Sequence, residues 1–134
     1  MNIEEIEGIG PQFAEQLRGA GVRTTEALLE RGGTRKGRQE LADASGLSVA
    51  RILEWVNRAD LFRIKGIGSE FSDLLEVAGV DTVAELAQRN AANLAAALAK
   101  AVEERPNIVR RVPSESVVAD WITQAKDLPR AVEY

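Results

Sequence analysis

The sequence predicts an all-α fold of two repeated units, each of four to five short helices, packed together. Three observations predict it. First, the chain repeats itself: IEGIGPQFAEQLRGAGVRTTEALLERG, from Ile6, and IKGIGSEFSDLLEVAGVDTVAELAQRN, from Ile64, agree at twelve of 27 aligned positions, the mark of a duplicated structural unit. Second, apolar residues make up 45% of the chain but aromatics only 4%. The core must therefore rest on Leu, Val, Ile and Ala, and Leu and Ala lose little rotamer freedom in a helix. Third, helix-start and helix-stop residues fall at matching places in both copies. Copy one covers residues 1–61 and copy two residues 62–134. A unit that small buries little surface alone, hence the expectation that the two pack together.

Each copy reads the same way along the chain. Gly8-Ile9-Gly10 and Gly66-Ile67-Gly68 are costly inside a helix and mark a reversal. The next helix starts at Pro11, a residue favoured in the first turn, or at Ser69. Phe13, Leu17 and Ala20 then share one face, as do Phe71, Leu75 and Ala78; both phenylalanines read as core. Gly21 and Gly79 stand where a left-handed cap ends a helix. A second helix opens at Thr24 or Thr82, and Thr82 with Glu85 has capping-box spacing. A third covers roughly 39–44 or 93–103. The fourth carries Trp55 or Trp121, with Ile52, Val56 and Ala59 on one stripe and Val118, Ile122 and Ala125 on the other. Both tryptophans read as core. SGLS at Ser45–Ser48 and VPSES at Val112–Ser116 precede these last helices as degenerate second hairpins.

Several function classes are excluded. Without Cys there is no thiol chemistry or thiolate metal site, and without His the usual general base and metal ligand are missing. The carboxylates are spread along helix faces at surface-like spacing. The expectation is a non-enzymatic protein with no metal and no cofactor. A net charge of −4 argues against coating nucleic acid or membrane by bulk electrostatics, but leaves room for a local basic patch. MNIEEIEGIG is not a secretion signal, and the longest apolar run, Leu94–Ala99, is far short of a membrane span. The expected location is cytoplasmic, with no membrane partner.

The glycine pair reverses the chain between two closely crossing helices, and the middle Ile fills the gap. The following helix start then turns free backbone N–H groups outward, an anion site that suits a phosphate without reading sequence. The hydrophobic-x-Gly-Ile-Gly stretch resembles the helix-hairpin-helix motif of DNA repair and recombination proteins. The chain as a whole resembles a bacterial family of tandem helix-hairpin-helix proteins classed as a domain of unknown function. The segments IEGIGP, LEWVNRADLFRIKGIG, AGVDTVAELAQRN and VRRVPS carry the likeness over essentially the whole chain. The resemblance implies the fold and, by analogy with DNA-binding hairpins, a nucleic-acid partner.

The chain departs from that pattern where such hairpins place a cation after the second glycine. Here the residues are Pro11-Gln12-Phe13-Ala14-Glu15 and Ser69-Glu70-Phe71-Ser72-Asp73. Glu4, Glu5 and Glu7 precede the first hairpin, whereas Arg58, Arg63 and Lys65 lead into the second. The second hairpin, with Lys65, Gly66, Ile67 and Gly68, is therefore the candidate phosphate contact. Arg31–Arg38 reads as a flexible basic loop, first a solvated connector and second a phosphate clamp through Arg35, Lys36 and Arg38. Arg110 and Arg111 either extend the cationic strip or pair with Glu103 and Glu104. Two functions stand open: sequence-independent binding of a nucleic-acid backbone through the second hairpin, and a protein-interaction adaptor with no nucleic-acid contact.

Overall fold

The computed structural model describes residues 1–134. Its regular elements are all helical: a 3-10 turn Ile3–Glu5, then α1 (Pro11–Gly19), α2 (Thr25–Gly32), α3 (Arg35–Ser45), α4 (Val49–Leu61), α5 (Ser69–Val77), α6 (Val83–Ala87), α7 (Ala91–Glu104) and α8 (Glu115–Asp127). There is no strand, and extended pairing is limited to an isolated bridge between Asn2 and Thr24. No helix is long and apolar enough to cross a membrane. The chain divides into two compact units. One is Met1–Asp60 together with Arg130–Tyr134, and the other is Leu61–Pro129. The sequence reading gives the last five residues to the second copy, whereas in space they belong with the first unit.

In the first unit, α1 begins at Pro11, which has no N–H to leave unsatisfied, and ends in a double bond. Val22 N–H donates to Leu17 O (2.9 Å) and Gly21 N–H to Arg18 O (3.0 Å), with Gly21 at φ +90°. The Oγ1 of Thr24 accepts from Ala27 N–H (3.1 Å) to start α2, and the Oγ1 of Thr34 accepts from Gly37 N–H (2.9 Å) to start α3. The Oγ of Ser48 accepts from Arg51 N–H at the start of α4. The 3-10 turn and α3 pack on α1, and α2 packs on α3. Ile3, Ile6, Ile9, Leu17, Leu28, Leu41, Ile52 and Val56 are buried among them. Trp55 is 4% exposed and meets Phe13 with ring centroids 5.4 Å apart.

The expected basic loop is not a loop. Arg31 is in the last turn of α2, and Arg35, Lys36 and Arg38 form the first turn of α3, so that helix begins four residues before its sequence pattern suggests. The glycines there serve close packing. A Cβ on Gly32 would lie 2.5 Å from Val56 Cγ2 of α4.

In the second unit, Val80 N–H donates to Leu75 O (2.8 Å) and Gly79 is at φ +90°, ending α5 as α1 ends. The Oγ1 of Thr82 accepts from Glu85 N–H (3.0 Å), while the Glu85 carboxylate pairs with Arg89. Asn90 caps α7 and Ser114 caps α8. α8 packs against α6 and α7, and α5 packs against α7. They enclose a core that includes Leu74, Leu75, Leu86, Leu94, Leu98, Val118 and Trp121. Phe71 meets the Trp121 ring at 5.2 Å between centroids. Phe13 and Phe71 are half-buried, not core as their spacing suggests. Each covers the outer side of a tryptophan, and the Arg51 guanidinium stands 4.6 Å over the Phe13 ring.

Candidate functional site

The second hairpin is built in three steps. Leu61 and Ile64 anchor the approach, with Ile64 N–H donating to Leu61 O (3.1 Å) and Ile67 N–H to Ile64 O (3.2 Å). Gly66 then turns at φ +99°, a region L side chains rarely adopt. Ile67 is 3% exposed and drives into the core. Gly68 is extended and starts α5, where Ser72 N–H donates to Gly68 O (2.9 Å). The first hairpin has the same outline, with Gly8 at φ +92°, Ile9 4% exposed and Gly10 extended ahead of α1.

The two glycines of a hairpin have different jobs. A Cβ on Gly66 would meet the Trp121 Nε1 at 3.0 Å, whereas one on Gly68 would meet nothing within 4 Å. Gly66→Ala is therefore expected to cost about 1–2 kcal/mol for its backbone alone, with the indole contact added. Gly68→Ala should stay within about 0.5 kcal/mol. Thermal or denaturant unfolding of the pair checks this; equal losses would contradict the assigned division.

Both hairpins share a further feature. α2, α3, α4, α6, α7 and α8 each start beneath a Thr, Ser or Asn oxygen that accepts an N–H. α1 and α5, the helices after Gly-Ile-Gly, start at glycine with no side-chain cap. In α1, Pro11 removes one donor. In α5, Ser69 keeps it, so the fuller set of open donors lies at the second hairpin.

The predicted cations fall into three groups. Lys65, Arg110 and Arg111 are exposed on the second unit. Lys65 directly precedes Gly66, and its backbone is clasped by Gln124: its N–H donates to Oε1 (2.9 Å) and its C=O accepts from Nε2 (3.1 Å). Arg110 Nε stands 3.9 Å from the Glu70 carboxylate, so the structure brings Arg110 to the first turn of α5. Its side chain is 94% exposed, and such a contact holds it weakly. Arg63 is half-buried and donates to Pro129 O (2.7 Å).

The others lie elsewhere. Arg58 belongs to the first unit, where its nearly buried guanidinium is 3.9 Å from the Glu7 carboxylate. Sequence proximity assigns it to the second hairpin, but the structure places it beside the first. Arg35 and Lys36 are exposed at the start of α3, and Lys36 is 3.9 Å from Glu40. Arg38 is 3% exposed and donates to the carbonyls of Gly32 (2.8 Å), Gly33 (3.2 Å) and Glu133. It is a structural residue, not part of a phosphate clamp.

Sequence reasoning missed two braces at matching positions. Arg31 donates to O of Ala20, the cap of α1 (2.8 Å), and Arg89 to O of Gly79, one residue past the cap of α5 (3.3 Å), so each arginine ties its helix to the preceding turn. The identity of these two arginines in the internal alignment was the available signal. No group of three carboxylates comes together that could hold a metal ion.

Residues 7–128 match the family model described as a domain of unknown function, DUF4332, and the chain belongs to that family. No curated protein and no solved structure matches it.

Proposed function

We propose that this DUF4332 member is a non-enzymatic binding module built from two copies of a helix-hairpin-helix unit, whose second hairpin holds the phosphate backbone of a nucleic acid without reading its sequence. The observation that carries the reading is the uncapped start of α5 beside exposed Lys65, with Arg110 drawn to its first turn. A phosphate there would gain backbone N–H donors, the positive end of the helix dipole and two nearby cations. The matched hairpins and the paired Phe–Trp contacts support the reading of two copies.

Fluorescence anisotropy with labelled duplex and single-stranded DNA and RNA tests this. Binding is expected to saturate at low salt. Its log–log salt slope should be shallow, about −2 to −4 for a duplex, because few phosphates are touched. Lys65→Glu combined with Arg110→Glu should remove it, and Glu70→Lys should strengthen it. Absence of saturable binding to any of the four would refute the reading. The second reading, a protein adaptor, is favoured by Glu70 itself. That exposed acid, in the first turn of α5, repels a phosphate and suits a basic protein surface instead.

A further inference from the structure

After α8 the chain passes Pro129, and residues 130–134, which form no helix or strand, belong to the first unit. Glu133 N–H donates to Gly33 O (2.7 Å). Arg35 N–H, at the start of α3, donates to Glu133 Oε1 (3.3 Å), and the Arg38 guanidinium donates to Glu133 O. Val132 is 3% exposed, and the Tyr134 hydroxyl donates to Asn57 Oδ1 (2.8 Å). Gly33 is at φ −66°, ordinary for any residue. A Cβ there would nevertheless lie 2.6 Å from Ala131 O and 2.9 Å from Leu29 O. The glycine is thus matched to a peptide backbone running across it.

We infer that the first unit carries a recognition site for an extended protein segment whose side chains run apolar, acidic, aromatic, and that Val132-Glu133-Tyr134 is its resident occupant. Each element of that pattern has a partner. Gly33 O and the Arg38 guanidinium bind the peptide backbone, whatever the sequence. The apolar position is enclosed. The carboxylate meets the start of α3, where Arg35 and Lys36 are exposed and complement its charge. Asn57 accepts from the aromatic hydroxyl. Because the occupant is tethered, it competes at a high effective concentration, and a partner segment must displace it. The inference is independent of the hairpin reading, since it concerns the first unit and a different ligand.

The test uses a fluorescent synthetic peptide, Arg-Ala-Val-Glu-Tyr. A chain ended after Pro129 is expected to bind it saturably, and the full chain at least about tenfold more weakly. Replacing the peptide's glutamate by alanine should weaken binding about tenfold, the range of a charge-assisted hydrogen bond. Full-length Val132→Asp provides a second empty groove, because burying the new carboxylate unseats the segment. Circular dichroism reports whether each variant keeps its helices. Either helical variant binding the peptide upholds the inference. No saturable binding by any variant that keeps its helices overturns it. So would loss of helix in both, which would make the segment an inseparable part of the fold.

Discussion

Trp121→Ala is expected to lower the free energy of unfolding by about 3–5 kcal/mol. The ring is 1% exposed at the centre of the second unit's core, so truncation leaves a large cavity that α6 and α7 cannot fill without moving. Two further losses push the effect upward. The tilted contact with Phe71, at 57° between ring planes, is of a kind worth about 0.5–1.5 kcal/mol beyond area burial. The indole Nε1 also lies directly against the hairpin, 3.0 Å from where a Gly66 Cβ would be. Removing it frees the turn that positions α5. Denaturant titration measures the change, and a loss below about 1 kcal/mol would contradict the packing described. The same variant should weaken any ligand binding at the second hairpin in its still-folded fraction.

Arg38→Met is expected to cost about 3 kcal/mol or more, although methionine replaces most of the side-chain volume. The guanidinium serves three carbonyls, those of Gly32, Gly33 and Glu133. Hydrogen bonds to a charged group contribute about 1.5–3 kcal/mol, and each buried carbonyl left unpaired costs about 1–3 kcal/mol. Arg38→Lys should recover only part of the loss, since one ammonium cannot reproduce the planar fork. A residue that clamps phosphate would behave in the opposite way, losing affinity and keeping stability. Denaturant titration beside an anisotropy measurement separates the two.

The helix starts at Pro11, Thr24 and Thr82 were legible because start signals are local: each threonine oxygen accepts an N–H three residues on, and Pro11 lacks a donor that the first turn would leave open. The stripes holding Ile52, Val56, Val118 and Ile122 were legible because burial follows the helical period. Arg31–Arg38 misled for a tertiary reason. Gly32, Gly33 and Gly37 lower helix propensity and resemble a flexible connector, but Gly32 is small because Val56 presses on it. No local pattern reports that neighbour.

The candidate site was legible in its backbone and not in its charges. The glycines dictate a turn wherever they occur, whereas a long cationic side chain goes where its partners are. Arg58 is five residues before Arg63 in sequence, yet pairs with Glu7. The internal alignment held the clue. Trp55 matches Trp121, so Arg58 matches Gln124, just as Glu7 matches Lys65. The first unit joins an arginine to a glutamate, and the second lets a neutral amide clasp a lysine's backbone. Residues 130–134 carry no periodicity at all, so nothing in them announced a return to the first unit.

That return has a consequence for biosynthesis. The ribosome makes Met1–Asp60 before the second unit, but the piece that completes this first unit follows only after the whole of Leu61–Pro129 has been translated. At about 5–20 residues per second, the interval lasts several seconds. For that time the first unit is a nascent domain with Arg38 lacking one acceptor and the space for Val132 unfilled. The first unit is begun before the second and completed after it, and under the proposed recognition a protein segment able to fill that space would meet no tethered competitor until residues 130–134 are translated.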